Sequence, residues 1–132
     1  MLLFVLLGLL IGVRCESQGI TAYGRLTCNG KPLVGANVKF IERDRFWLDP
    51  NDLVANVKTD HEGNFHITGR TDELTSIEPY LHFYYRCDSK ECEHFSIRVE
   101  DKYIESGDII RPFNFGNREV VNITGVFSHL SC

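Results

Sequence analysis

The chain is 132 residues long and carries a formal charge of −4, with acids and bases interspersed along its length. It has no basic block to follow a phosphate backbone and no acidic tail, so nucleic acid is excluded as an expected partner.

Residues 1–15, MLLFVLLGLLIGVRC, form an apolar run closed by Arg14. A spanning helix needs roughly 20 apolar residues, so no transmembrane segment is expected. The start of the run has no positive side chain. It nevertheless reads as a secretory signal peptide, with Val13 and Cys15 small enough for the two specificity positions of cleavage after Cys15. Residues 16–132 are then one domain with a single modest core. Loss of Cys15 leaves an even set, Cys28, Cys87, Cys92 and Cys132. In an oxidising compartment that set predicts two disulfides, and sequence alone does not choose among the three pairings.

From Gly19 to Cys28 the residues alternate, with Ile20, Ala22, Leu26 and Cys28 on one side, as in a half-buried strand. Asn29-Gly30-Lys31-Pro32 is turn chemistry, after which Ala36, Val38 and Phe40 restart the period of two in a strand at about 36–43. A polar loop, 44-DRFWLDPNDL-53, precedes the alternation of Ala55 and Val57. The segment 56-NVKTDHEGNFHITG-69 then predicts a hairpin with Phe65 and Ile67 inward on its return arm. TDELTSIEP ends at Pro79, which allows at most a short helical turn. Strands follow at Tyr80–Cys87, with Leu81, Phe83 and Tyr85 inward, and across Phe95, Ile97 and Val99. A last strand at about 118–127 would put Val121, Ile123 and Phe127 inside, and Asn122 and Thr124 outside. Asn122-Ile123-Thr124 is the chain's glycosylation sequon, so a glycan is expected on a solvent face. Seven short strands with no amphipathic helix of three turns predict an all-β, antiparallel-dominated sandwich.

Several clusters invite a chemical reading. Thr59-Asp60-His61-Glu62 is dense in catalytic residue types, but neighbours at a turn tip point apart into water, whereas general acid–base work needs convergence on one atom. The turn reading explains each residue: Asp60 is the side-chain acceptor, His61 and Glu62 are exposed, and Gly63 is left-handed. In 87-CDSKECEH-94 two cysteines and His94 lack the second ligand pair of a zinc site, so disulfide cysteines are expected and no metal. The loop residues Arg45, Phe46 and Trp47 are types frequent in binding hot spots and are the candidate binding residues. Asp44, Asp49 and Asp52 in that loop match no calcium loop with a closing bidentate Glu. The five histidines, His61, His66, His82, His94 and His129, are scattered, with solvated or edge positions as the expectation. No catalytic triad, phosphate loop or paired carboxylate stands out, so no catalytic residue and no cofactor is expected.

In order along the chain, 24-GRLTCNGKPLVGANVKF-40, 49-DPNDLV-54, 59-TDHEGNFHITG-69, 72-DELTSIEPYLHFYYRC-87, 101-DKYI-104 and Cys132 resemble the nematode transthyretin-like family across essentially all of residues 16–132. The resemblance implies a seven-stranded transthyretin-like β-sandwich and an extracellular or cell-surface protein. It also implies that the first strand and a late strand run parallel in one sheet, which by analogy pairs Cys28 with Cys132 and Cys87 with Cys92. The same fold is similar to that of hydroxyisourate hydrolase. That enzyme has a His near its first strand, an Arg-Thr-Asp-Gly-Arg-like segment and a Tyr-Arg-Gly-Ser tail, none of which is found here, where the tail is 126-VFSHLSC-132. The expectation is a secreted recognition module for an extracellular protein, a lipid headgroup or a small apolar ligand. A hydrolase of that type and an oligomeric small-molecule carrier are the alternatives.

Overall fold

The computed structural model describes residues 16–43, 51–88, 91–123, 126–129 and 132. Among these are the strands β1 (Glu16–Cys28), β2 (Lys31–Pro32), β3 (Asn37–Glu42), β4 (Asp52–Lys58), β5 (Asn64–Glu73), β6 (Pro79–Tyr85), β7 (Cys92–Arg98), β8 (Glu105–Ser106), β9 (Phe113–Glu119) and β10 (Phe127–His129), with no α-helix. They form two sheets. In one, β1 is central, antiparallel to β2, β5 and β8 and parallel to β9. The other has the antiparallel order β10-β7-β6-β3-β4.

Strand alternation builds the core between the sheets. Ile20, Ala22 and Leu26 of β1, Val38 and Phe40 of β3, Ile67 of β5, and Leu81 and Phe83 of β6 are all fully buried. They are the inward residues that the period of two selects. Phe83 stacks on Phe95 and Phe115 with ring centroids 4.6 and 5.0 Å apart, and Phe65 meets Phe83 edge-on at 5.7 Å. Aromatic pairs at such separations add to the area they bury.

Several expectations need correction. The 56–69 segment is not a hairpin, because β4 pairs with β3 in one sheet and β5 with β1 in the other. The turn instead arches between the sheets and closes one long side of the sandwich. Its turn chemistry is as expected: Asp60 Oδ1 accepts from the Glu62 and Asn64 N–H groups, both at 2.9 Å. Gly63 has φ +81°, and a Cβ there would collide with the Leu26 carbonyl oxygen, so only glycine fits. Thr59 ties the arch to the connection between β2 and β3. Its buried hydroxyl accepts from Ala36 N–H at 2.9 Å and donates to the Leu33 carbonyl at 2.5 Å.

The TDELTSIEP turn is not helical. Buried Gln18 donates from Nε2 to the Thr75 carbonyl at 2.8 Å and accepts from Ile77 N–H at 3.2 Å, which gives this backbone partners outside a helix. The late strand lies at Phe113–Glu119, not 118–127, and a 3-10 turn at Val120–Asn122 follows it. Gly116 at φ +83° and a bulge against Tyr23/Gly24 hide this strand from a propensity reading. Glu119 ends it, accepting from the N–H groups of Asn29 at 3.0 Å, Gly30 at 2.7 Å and Val121 at 3.2 Å. Those donors hold its carboxyl below the usual range, Gly30 first among them. Val121 and Phe127, expected inside, are 56% and 68% exposed.

The cysteines pair as Cys28–Cys87 and Cys92–Cys132, not as the analogy suggested. Tyr85 lies opposite Glu93. Cys87 therefore follows the inward phase of Phe83 and Tyr85, toward the end of β1, while Cys92 follows the outward phase of His94 and Ser96. The two cannot face each other across the short connection. The parallel pairing of β1 with β9 is present, but the chain then crosses to the other sheet. There β10 runs along β7 with His129 opposite Cys92, and this delivers Cys132 to Cys92.

Candidate functional site

The outward positions of β6 and β7 make one surface. Tyr80, His82 and Tyr84 alternate with the buried residues of β6, and Tyr84 lies opposite His94 on β7. The rings stand against one another: Tyr84 stacks on His94 at 4.6 Å and 19°, and His94 stacks on His82 at 5.2 Å and 30°. Tyr80 meets His82 edge-on at 6.3 Å. His82 Nδ1 and His94 Nε2 are 3.2 Å apart and share a hydrogen bond.

Cations cap this stack at both ends. Lys39 Nζ lies 4.9 Å from the Tyr84 ring centroid, and the Arg43 guanidinium lies 4.9 Å from that of Tyr80, whose hydroxyl accepts from Arg43 at 3.2 Å. Each is a cation–π arrangement, with the charge over the negative face of the ring. Arg98 also reaches the Tyr80 ring, at 5.9 Å, but it is held by Asp101 at 2.7 Å. Burial, followed by the charges of His94, Arg43 and Lys39, lowers the His82 pKa to about 4, so this imidazole is neutral at physiological pH.

On the side opposite the arch, the sandwich opens. A cleft of about 680 Å³ runs between β7 and the end of β9, lined by Phe95, Ile97, Ile123 and Phe127, with Arg118 and Asn122 among its polar groups. A third cluster lies at the C-terminal end of β3. The carboxylates of Glu42, Asp52 and Glu73, from three strands, come within 4.8 Å of one another. Oxygen donors of this kind could hold a hard cation.

Of the residues singled out in the sequence, Arg45, Phe46 and Trp47 lie outside the described residues, as do Asp44 and Asp49 and the whole of 1–15. Asp52 joins Glu42 and Glu73 instead. Asn122 is exposed, though at the end of a 3-10 turn and not on a strand. His61 and Glu62 do not point apart as expected but sit 3.7 Å from each other, with 86% and 66% of their side chains exposed, and Glu62 accepts from Asn64 Nδ2 at 3.2 Å. His82 and His94, expected as scattered residues at solvated or edge positions, are half-buried partners. Their pairing was hidden because it depends on the β6–β7 register, which alternation within each strand does not supply.

Residues 23–100 match the model of the Transthyretin-like family, TTR-52. The chain belongs to the transthyretin-like family. It is similar to Transthyretin-like protein 5 of Caenorhabditis elegans, at 40% identity over 85% of this chain and 81% of that protein. Transthyretin-like proteins 2 and 46 of the same organism are 37% and 35% identical, over 70% and 96% of this chain and 67% and 72% of theirs. A 9R-lipoxygenase from Cyanothece shares 19% identity over 76% of this chain and 16% of its own, with a TM-score of 0.41, a likeness too slight to carry an argument. The sandwich and its two disulfides fit an extracellular member of this family. Among the described residues no helix is long and apolar enough to cross a membrane.

Proposed function

We propose that this transthyretin-like protein is a secreted, non-catalytic recognition domain: residues 1–15 are removed as a signal peptide, and residues 16–132 bind an acidic patch on a cell-surface partner. The binding surface is the outer face of β3, β6 and β7 together with the adjoining loop that carries Arg45, Phe46 and Trp47. The observation that carries this reading is the Tyr84-His94-His82-Tyr80 stack capped by Lys39 and Arg43. Tyr, Trp and Arg are the residue types that concentrate binding energy at interfaces. Rings already ordered by mutual stacking lose little further freedom on binding, and cations over them favour an acidic partner. Arg43 is followed in sequence, two and three residues on, by Arg45 and Phe46 and then by Trp47, which is the reason for including them in the proposal. The non-catalytic reading is supported by the high exposure of His61 and Glu62, which lie against each other in open solvent and not in a cleft.

The test is binding of the purified, labelled protein to intact cells, followed by flow cytometry. The double substitution Lys39→Glu/Arg43→Glu should weaken binding by about tenfold or more, the equivalent of about 1.4 kcal/mol. Phe46→Ala/Trp47→Ala should weaken it in the same direction. Binding by the charge-reversed protein equal to that of the wild type would refute the assignment of this face.

A further inference from the structure

The cleft beside β7 has a sequon on its rim. Asn122 is one of its lining residues, exposed at the end of the Val120–Asn122 turn. Facing the same space is Phe127, at 68% exposure the most exposed phenylalanine or tyrosine among the described residues. Two features of the cleft need a covering group. Its lining is mixed, with Phe95, Ile97, Ile123 and Phe127 set among polar residues that include Arg118 and Glu119 around an open volume of about 680 Å³, and the exposed apolar part of such a surface favours association. In addition, β10 pairs with β7 only from Cys92 to His94. On the edge facing away from β6, residues 95–98 therefore have no strand partner among the described residues, and such edges invite pairing with another chain.

We propose that the occupant of this cleft is the protein's own N-linked glycan, attached at Asn122, with the C–H face of its first N-acetylglucosamine packed on the Phe127 ring. A sugar ring suits the site because it has an apolar C–H face for Phe127 and Ile123. Its hydroxyl and acetamide groups reach the polar rim, where Arg118 and Ser96 lie. A bulky, hydrated chain over the 95–98 edge also blocks edge-to-edge pairing in the manner of other edge-covering devices. The attachment is the ordinary transfer reaction of the secretory pathway. The Asn122 amide nitrogen forms a bond to the anomeric carbon of a lipid-linked oligosaccharide diphosphate. The bond from that carbon to the diphosphate oxygen breaks, the lipid diphosphate leaves, and the amide gives up one proton. The inference rests only on the secretory part of the function proposed above and is independent of the Lys39/Arg43 face.

The experiment uses the full chain secreted from eukaryotic cells, with intact mass and thermal midpoint measured on wild type, Asn122→Gln, Thr124→Ala and Phe127→Ala. The wild type and Phe127→Ala should carry one glycan and the two sequon variants none. Loss of the glycan through either sequon variant should lower the midpoint by about 4 °C, the shift of roughly 1 kcal/mol in a domain of this size. Trimming the glycan to a single N-acetylglucosamine should leave the wild-type midpoint in place. In the Phe127→Ala background, removing the sequon should shift the midpoint by no more than about 1 °C, well inside what 1 kcal/mol would produce. A secreted but unmodified chain overturns this inference and leaves the recognition surface standing. A glycan whose removal has the same effect with and without Phe127 overturns it as well. A chain that never enters the secretory pathway overturns both readings.

Discussion

Replacing Thr59 by Val keeps the shape of a buried side chain while removing the two side-chain hydrogen bonds by which Thr59 fastens the inter-sheet arch. Thr59, Ala36 and Leu33 are 4%, 3% and 5% exposed. The Ala36 N–H, 2.9 Å from the hydroxyl, and the Leu33 carbonyl, 2.5 Å from it, would therefore lose their partner where water does not easily replace it. A buried polar group stripped of its partner costs about 1–3 kcal/mol, so two give about 2–6 kcal/mol, less a small gain from the methyl that replaces the hydroxyl. At about 4 °C per kcal/mol for a domain of this size, the thermal midpoint should fall by roughly 8–24 °C. Thr59→Ser keeps the hydroxyl and should lose much less. The assay is urea and thermal unfolding of the oxidised protein followed by circular dichroism. A Thr59→Val midpoint within about 2 °C of wild type would refute the argument, since it would mean that the two hydrogen bonds contribute less than about 0.5 kcal/mol.

Digestion under non-reducing conditions should yield cross-linked peptides joining Cys28 to Cys87 and Cys92 to Cys132, and a Cys87–Cys92 peptide would contradict the strand phases given above. The double substitution Cys92→Ser/Cys132→Ser opens a link with sequence separation 40. It should cost about 4 kcal/mol by the loop-entropy relation, read as a lower denaturation midpoint. The pKa of His82 in the fold, about 4, lies below its ordinary 6.5. The unfolded chain therefore binds more protons than the native state between those values. The stability tied to neutral His82 is complete above pH 6.5 and is lost as pH falls toward 4. Because the ring is only half buried, the loss should be about 1 kcal/mol. Urea midpoints at a series of pH values should show this slope flattened in His82→Asn, and an equal slope in both proteins would exclude His82 as its source.

What could be read in advance was whatever depends on one strand at a time. The inward phases of β1, β3, β5 and β6 followed from alternation, since Ile20, Val38, Ile67 and Phe83 fall on the buried face by the pleat alone. The turn at Asp60–Gly63 was equally legible, because an Asx acceptor and a left-handed glycine are local demands. The 118–127 segment misled because apolar residues at alternate positions imitate a strand. Glu119 in fact gathers three backbone N–H groups and turns the chain there.

The sequence by itself determined the all-β class, the family and the two-disulfide composition, because hydrophobic period, turn residues and cysteine number are local properties of the chain. Only the tertiary structure decided what depends on register and on the choice of sheet. It made Thr59-Asp60-His61-Glu62 an arch between sheets and not a hairpin, and it exchanged the cysteine partners. It also brought His82 beside His94 and placed Asn122 and Phe127 on one cleft. The physical reason is common to all of these: a strand's pattern fixes which of its faces is buried, but the neighbour across each sheet is set by packing of the whole.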